Sequence, residues 1–180
     1  RLLFERHLIS REMMERGEGC GVVVCPEDHF SLMINEEDHL RLQVLNSGLN
    51  LGDSLEKADQ LDDLIEARAE YAFSPVWGYL TSCPTNLGTG MRASVMLHLP
   101  ALVLLQEMRP IINGLSKIGL AVRGLWGENT EAAGHMFQVS NQITLGDSER
   151  GILSQLEQII LELVQHELNA RARLQEDKHL

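Results

Sequence analysis

The order of strand-like and helical segments is the feature that most constrains the fold of this chain. Runs of β-branched or alternating apolar residues follow one another, and helical stretches are inserted between them only at irregular intervals. A parallel sheet would need helix and strand in regular alternation. The order therefore predicts an α+β fold, in which a largely antiparallel β-sheet is flanked by helices. The predicted strands span residues 21–25, 30–35, 41–47, 76–81, 93–99, 120–126 and 137–144.

The stretches with helical character span residues 8–16, 54–71, 100–118 and 148–175. In the second of them, apolar residues recur at spacings of three and four, which places them on one stripe. The third has Pro100 in its first turn and ends before Gly119. No repeat, low-complexity tract or linker rich in Pro, Gly or Ser divides the sequence. We therefore expect one domain over residues 1–180.

The charge of the chain excludes one broad class of surface. Its 15 Lys and Arg residues against 26 Asp and Glu residues give a formal net charge of −11. A uniformly basic surface for nucleic acid or for a membrane is therefore not expected.

The longest apolar runs fall short of the ~20 residues that a membrane-spanning helix needs. Residues 1–10 lack the apolar core of a signal peptide, and the 3 cysteines leave one unpaired. Both features predict a reducing, cytoplasmic compartment.

Several common catalytic motifs are absent from the sequence. It has no phosphate-binding Gly-x4-Gly-Lys-Ser/Thr loop, no Gly-x-Gly-x-x-Gly, no His-Glu-x-x-His and no Gly-x-Ser-x-Gly. Cys20 and Cys25 have no second pair to complete a zinc site, so we predict no protein-bound metal. Any nucleotide site in this chain must therefore be of a less common kind.

The first candidate cluster reads Asn-Glu-Glu-Asp-His-Leu-Arg and spans residues 35–41, between two predicted strands. Three consecutive carboxylates are usually a solvated turn. Alternatively, one of them points into a cleft and lies close to His39 and Arg41, whose positive charges keep it ionised. The sequence leaves both interpretations open.

The second cluster spans residues 81–94 and is rich in small, polar and turn-forming residues between two apolar runs. It is either a plain connection or a phosphate-binding loop, because backbone N–H groups beside two glycines and Arg92 suit a phosphate. Cys83 is ambiguous in the same way. It is either an inert small hydrophobe or a thiol that neighbouring hydroxyl groups help to ionise.

The third cluster spans residues 122–131. Arg123 lies in an otherwise apolar predicted strand, where an unpaired guanidinium would be unfavourable, so it must reach an anion. That anion is either a structural carboxylate or a ligand phosphate. Glu128 follows a glycine turn, as a loop carboxylate aimed into a site would.

Together the clusters supply three arginines and two carboxylates. Arg41, Arg92 and Arg123 fit a triphosphate, because planar guanidinium groups hold phosphate oxygens in two-point contacts. Glu37 and Glu128 fit a cationic substrate. An enzyme that phosphorylates a guanidine needs this combination of groups.

Three long segments of the sequence are similar to a known family. They are residues 35–41, the segment Cys-Pro-Thr-Asn-Leu-Gly-Thr-Gly-Met-Arg-Ala-Ser at 83–94 and the segment Arg-Gly-Leu-Trp-Gly-Glu-Asn-Thr-Glu at 123–131. They resemble the ATP:guanidino phosphotransferases, or phosphagen kinases, which include arginine and creatine kinases. The resemblance covers nearly the whole chain and implies the catalytic lobe of that fold.

Within the family, other segments are most similar to the branch of bacterial protein-arginine kinases. They are Glu-Arg-His-Leu-Ile-Ser at 5–10, Arg-Ala-Ser-Val-Met-Leu-His-Leu-Pro-Ala-Leu at 92–102 and Phe-Gln-Val-Ser-Asn-Gln-Ile-Thr-Leu-Gly at 137–146. Kinases of free guanidines usually have a histidine at the position of Met96 and an aspartate at that of Gln138. Both residues therefore favour the protein-arginine branch.

The resemblance implies roles for individual residues. Arg41, Arg92 and Arg123 would contact the phosphates of ATP, and His7 would lie near the nucleotide. Glu37 and Glu128 would hold and polarise the guanidinium, and Cys83 would be the active-site cysteine. The positions implied to line the nucleotide are Arg92, Ala93, Ser94, Val95, Met96, Arg123, Gly124, Leu125, Trp126, Gly127 and Glu128.

The resemblance also implies a reaction and partners. The γ-phosphoryl group of ATP would pass to arginine residues in proteins, with Mg²⁺ bound through the nucleotide, and the modified proteins would be marked for a Clp-type protease. The resemblance also implies an activator and a homodimer. An N-terminal lobe would precede residue 1, and a C-terminal dimerisation segment would follow residue 180. Two alternatives stay open: a kinase of free arginine or another small guanidine, and a catalytically incomplete module that binds a nucleotide or a partner.

Overall fold

A computed structural model describes residues 1–25, 30–124 and 133–176 of the chain. The chain forms two compact units, Arg1–Gly90 and Met91–Leu180. Every strand pairing among the described residues is antiparallel, and helices accompany the strands in both units. The predicted α+β class is therefore confirmed.

The first unit is built on a three-stranded meander. Its strands are β1 (Gly21–Val24), β2 (Phe30–Ile34) and β3 (Leu40–Val44), and β2 lies in the middle. The alternate residues Ser31 and Met33 of β2 are buried, as the period of a strand predicts. The alternation in the sequence thus located these three strands to within a few residues.

The segment before β1 packs on the buried residues of β2. The Ser31 hydroxyl donates to the carbonyl of Leu8 over 2.5 Å, and the backbone N–H of Ser10 contacts the Met33 sulfur at 3.4 Å. Two short helices lie in this segment, α1 (Leu2–Glu5) and α2 (Arg11–Glu15). The second is shorter than predicted because Ser10 caps it, with its hydroxyl accepting from the N–H of Met13.

A long helix, α3 (Leu51–Glu66), follows the meander and contacts β3. The single strand predicted over residues 76–81 is wrong. The chain instead forms a hairpin of two very short strands, β4 (Phe73–Ser74) and β5 (Gly78–Tyr79).

The backbone of the hairpin explains this difference. Tyr79 pairs with Gly88 through two backbone hydrogen bonds of 2.8 and 3.3 Å, which close the loop that contains Cys83. Gly78 has a φ of +72°, and a Cβ atom there would lie 2.4 Å from the carbonyl oxygen of Gly88. Only glycine fits this close approach of two backbones. The chain therefore turns into the Cys83 loop after Tyr79, where the sequence had predicted a strand that continues to residue 81.

The second unit is built on a three-stranded sheet of order β6–β8–β7. Its strands are β6 (Ser94–His98), β7 (Leu120–Gly124) and β8 (Met136–Asn141). One face of the sheet is apolar and packs on helices. That core contains Leu97, Leu99, Ala101, Leu102, Val103, Leu105, Met108, Ile111, Ile112, Val122, Phe137, Ala170 and Leu174.

The described residues of this unit form three α-helices: α4 (Pro100–Leu104), α5 (Met108–Lys117) and α6 (Glu149–Glu176). The single helix predicted over residues 100–118 is wrong, because the chain turns at Gln106, which has a φ of +60°. In one continuous helix Pro110 would have no N–H to donate to Gln106 and would clash with its carbonyl. The break places Pro110 in the first turn of α5, where a proline is tolerated. None of the described helices combines the length and apolarity that crossing a membrane demands.

Candidate active site

A tight turn joins β2 to β3 and carries three consecutive carboxylates. Asn35 begins the turn with a φ of +56°, and its backbone N–H donates to the carbonyl of His39 over 2.9 Å. Its side chain donates to the carbonyl of Gly19 over 2.7 Å, which ties the turn to the segment before β1. Because the turn is so tight, its three carboxylates enter three different environments.

Glu36 is the carboxylate that enters the interior, and only 3% of it is exposed. It accepts hydrogen bonds from the Ser10 hydroxyl (2.5 Å), the backbone N–H of Glu37 (2.8 Å) and Nη1 of Arg41 (3.1 Å). Burial alone would raise the pKa of Glu36, but these donors and the positive charge of Arg41 outweigh it and hold the pKa below its usual value. Glu36 is therefore an ionised structural anchor.

Arg41 pairs with this buried carboxylate, whereas the sequence left open which carboxylate lies beside it. Glu36 holds Nη1 of Arg41, yet 45% of the Arg41 side chain remains exposed. A guanidinium group has five N–H donors. One contact with Glu36 therefore fixes the direction of the side chain and leaves donors for an external anion.

We expect Glu36→Gln to lower the free energy of unfolding by about 1–3 kcal/mol at pH 7, because the charge-assisted bonds to Ser10 and Arg41 are lost. A carboxyl group whose pKa is lowered by folding stabilises the protein above its unfolded pKa, and that stabilisation disappears as the pH falls through the folded pKa. The difference in stability between the two proteins should therefore be constant at neutral pH and should shrink as the pH falls through the folded pKa of Glu36, which lies below that of a free glutamate side chain.

Urea unfolding at a series of pH values, from pH 7 down to the acid range in which the native protein itself begins to unfold, measures this difference. Glu37→Gln is the matched control, because Glu37 is the exposed neighbour in the same turn, and its stability should equal that of the wild type. A difference between Glu36→Gln and the wild type that does not shrink at all, even where acid begins to unfold the native protein, would contradict the assignment of Glu36.

Asp38, the third carboxylate, connects the turn to the loop of Cys83. It accepts from the backbone N–H of Ser82 at 2.5 Å and from Nδ2 of Asn86 at 3.1 Å. These bonds hold the residues on both sides of Cys83. Asp38 therefore links the loop to the turn that presents Glu37, which is itself exposed.

Internal contacts also shape the Cys83 loop. The Thr81 hydroxyl donates to the carbonyl of Cys83 over 2.7 Å, and residues Pro84–Asn86 form a single 3₁₀ turn. The Cys83 sulfur lies 3.0 Å from the hydroxyl oxygen of Thr85. The structure thus places one of the predicted hydroxyl groups at the thiol.

His7, the position implied to lie near the nucleotide, is exposed and follows α1. It has a φ of +57°, which is unfavourable for a residue with a side chain. Its carbonyl accepts from Nε2 of Gln43 on β3. This bond to the meander holds His7 in its left-handed conformation.

In the second unit, Arg92 lies just before β6 and its side chain is exposed. Asn141, at the end of β8, binds the backbone on both sides of it. Oδ1 of Asn141 accepts from the N–H of Ala93 over 2.7 Å, and Nδ2 donates to the carbonyl of Met91 over 3.1 Å. The backbone at Arg92 is therefore fixed, and its side chain lies at the surface.

The face of the β6–β8–β7 sheet opposite its core is polar. Gln138 pairs in register with Met96 on one side and with Arg123 on the other, so the three residues share this face. Nε2 of Gln138 donates to the hydroxyl of Ser94, which also shares the face, over 2.9 Å. Val95 points to the apolar face, so only its backbone is available to a ligand on the polar one.

Four of the positions implied to line the nucleotide lie outside the described residues. They are Leu125, Trp126, Gly127 and Glu128. Gly124, which precedes them, is the last residue of β7. Their roles, including that of Glu128 as the second carboxylate, stay predictions.

A comparison with protein families decides the class of the chain. The family model described as "ATP:guanido phosphotransferase, C-terminal catalytic domain" matches residues 1–170. The chain belongs to this family. The resemblance noted in the sequence is thereby confirmed, and the ATP:guanido phosphotransferase match extends across both compact units.

Curated relatives within the family are named protein-arginine kinase. That of Halothermothrix orenii is 48% identical over 179 residues, which cover 99% of this chain and 51% of the relative. That of Desulforamulus reducens is 51% identical over 177 residues, which cover 98% of this chain and 50% of the relative. The chain thus spans about half the length of the curated relatives it matches.

Solved structures agree with this membership. The crystal structure of lombricine kinase matches with a TM-score of 0.80 and 28% identity, over 95% of this chain and 50% of that one. The duplicated taurocyamine kinase from Schistosoma mansoni matches with a TM-score of 0.76 and 29% identity, over 93% of this chain and 24% of that one. The predicted phosphagen-kinase fold is confirmed.

Sequence reasoning missed the residues that, within each unit, support the predicted functional residues. Glu36 supports Arg41, Asp38 supports the Cys83 loop, and Ser10 in turn supports Glu36. Asn141 supports the backbone at Arg92. Apart from the pair Glu36–Arg41, these contacts join residues that are distant in sequence. The only local signal is the run of three acids at 36–38, which does not show which acid is buried.

Proposed function

We propose that the protein transfers the γ-phosphoryl group of ATP to the guanidino group of arginine residues in proteins. One observation carries this proposal: both neighbours of the exposed Glu37 fix the turn that contains it. Glu36 binds Arg41, and Asp38 binds the Cys83 loop. A carboxylate, a guanidinium donor and a thiol are thereby attached to one rigid turn. Curated relatives that are 48% and 51% identical are named protein-arginine kinase, which supports protein arginine as the substrate.

The reaction breaks the bond between the γ-phosphorus and the bridging oxygen, which leaves on ADP with the electron pair, and forms a bond between phosphorus and a guanidino nitrogen. A guanidinium is protonated at neutral pH, with a pKa above ~12, and is a poor nucleophile. Glu37 orients it through hydrogen bonds and accepts the proton that the nitrogen loses. A Cys83 thiolate would add negative charge beside the substrate cation.

The arginines act on the phosphate oxygens. Arg41, fixed by Glu36, and Arg92, fixed through its backbone, offer planar donors to oxygens whose charge rises as the bond breaks. Arg123 lies on the polar face of its sheet and serves the same purpose. Mg²⁺, carried by the nucleotide, supplies further charge neutralisation when it is bound. Catalysis therefore rests on alignment and charge, with little covalent work for the protein.

The substrate can be tested with the protein at its natural length. We expect γ-labelled Mg-ATP to label casein with an acid-labile, alkali-stable phosphate and to leave free arginine unlabelled. A peptide containing arginine and the same peptide with lysine in its place form the matched pair, and only the first should be labelled. The measurement is the radioactivity that survives alkali and is lost in acid.

Three other outcomes would overturn the proposal. Label on free arginine alone would assign the chain to the kinases of small guanidines. Nucleotide binding without label on any acceptor would favour a non-catalytic binding module. Label on the lysine peptide would mean that the chemistry is not guanidino transfer.

The resemblance supports three further parts of the proposal. The modified proteins would be directed to a Clp-type protease, with an activator, and the full-length protein would be a homodimer. The compartment would be the reducing cytoplasm, which agrees with the absence of disulfides among Cys20, Cys25 and Cys83.

A further inference from the structure

Asn141 is a buried amide whose side chain, among the described residues, forms its hydrogen bonds with backbone groups. It is 4% exposed and lies at the end of β8. Its Oδ1 accepts from the N–H of Ala93 (2.7 Å), and its Nδ2 donates to the carbonyls of Met91 (3.1 Å) and Ile143 (3.0 Å). Its own backbone N–H donates to the carbonyl of Ala93 over 3.3 Å. The residues before and after Arg92 are therefore held by one side chain.

The chemistry of this contact requires a carboxamide. Asn141 uses an acceptor for one backbone N–H and both donors for two carbonyls, and only asparagine offers this set at this length. An aspartate would keep the acceptor but would place its other oxygen against the carbonyls of Met91 and Ile143. An aliphatic side chain would leave buried backbone groups without partners.

The contact of Asn141 lies where the chain enters strand β6, next to Arg92. Gly90, which precedes the held segment, has a φ of +64°, so the chain enters it through a conformation that favours glycine. From Met91 onwards the backbone is fixed by Asn141 and then by the strand pairing of β6 with β8. Arg92 is the exposed residue at this transition, and without Asn141 its backbone would have to be ordered when a ligand binds.

We propose that Asn141 is a positioning residue for Arg92: it fixes the backbone from which Arg92 reaches the phosphate groups of the nucleotide. Fixing that backbone in advance removes the entropy cost of ordering it from the binding step. The proposal rests on the proposed function, because it takes Arg92 to contact the nucleotide.

A double-mutant cycle on the protein at its natural length tests this role. We expect Asn141→Ala to weaken ADP binding about tenfold, and Arg92→Ala to weaken it by tenfold or more. The double variant should bind ADP no more weakly than Arg92→Ala alone, because Asn141 acts through Arg92. Isothermal titration calorimetry measures the affinities. Gln142→Ala, at the exposed neighbouring position, is the matched control and should bind like the wild type.

Two further measurements separate positioning from general stability. In Asn141→Ala the amide of Ala93 should exchange its hydrogen faster than in the wild type, and KM for ATP should rise more than kcat falls. If Asn141→Ala fails to fold, Asn141→Ser, which keeps a small donor and acceptor, takes its place in the cycle.

The cycle distinguishes the two possible failures. If Arg92→Ala binds ADP normally, the assignment of Arg92 to the nucleotide is wrong, and the proposed function loses that residue. If Arg92→Ala is impaired but Asn141→Ala is not, the positioning role is wrong. Additive losses in the double variant would likewise reject it, since Asn141 would then act independently of Arg92.

Discussion

Replacement of Glu37 by glutamine should reduce the turnover of arginine phosphorylation by about 10²–10⁴-fold, the range typical for the loss of a general base. The amide can still accept a hydrogen bond from the substrate guanidinium, but it cannot take up the proton or balance the positive charge. The affinity for ADP should remain that of the wild type. Glu37 is exposed, and its side chain takes no part in the bonds that Glu36 and Asp38 make.

Steady-state kinetics with an arginine peptide, together with calorimetry of ADP binding, provide the two readouts. Glu18→Gln is a suitable control, because Glu18 is also exposed and glutamine makes the same change of charge there. Near-normal turnover of Glu37→Gln would show that another group accepts the proton. A loss of ADP affinity equal to the loss of turnover would show instead that Glu37 supports the nucleotide.

The strands of this chain were the most predictable part of its fold. Alternation of buried and exposed residues is a local property, so β1, β2, β6 and β7 begin within a residue or so of their predicted positions. The order of these strands also sufficed to predict antiparallel pairing.

The two errors in the predicted secondary structure have one physical origin: long-range contacts or backbone geometry overrode a local sequence pattern. The hairpin at β4 and β5 depends on the approach of Gly78 to Gly88, ten residues later in the sequence. The division of the predicted helix at Gln106 depends on a left-handed backbone that no apolar periodicity reports. Pro110 was a usable signal for that break, because a proline is unfavourable inside a helix.

The candidate site residues were likewise predictable only as far as local sequence determines them. The types of residue needed for phosphate and guanidinium are visible in the sequence. Their environments are not, because Glu36, Glu37 and Asp38 are chemically alike and consecutive. A tight turn directs Glu36 to Ser10 and Arg41, and Asp38 to the Cys83 loop. Only tertiary structure separates the anchor from the exposed carboxylate.

The largest expected effect on stability lies away from the proposed chemistry, at Glu167 of α6. This carboxylate is 3% exposed and accepts from the backbone N–H groups of Ala101 and Leu102, both at 3.1 Å. It also accepts from Nε of Arg171 at 2.7 Å. Ala101 and Leu102 lie in the first turn of α4, where N–H groups have no partner within the helix. Glu167 therefore caps one helix from another and fastens α6 to α4.

We expect Glu167→Ala to lower the free energy of unfolding by about 2–4 kcal/mol, because two buried N–H groups lose their acceptor and Arg171 loses its partner. Arg171→Ala should cost less, since the bonds to Ala101 and Leu102 survive. Urea unfolding measures both. Glu162→Ala, on the exposed face of the same helix, is the control and should change stability by about 0.5 kcal/mol or less. If Glu167→Ala were as mild as Glu162→Ala, water would have to replace the carboxylate at the start of α4, and the two helices would be held by their apolar contacts alone.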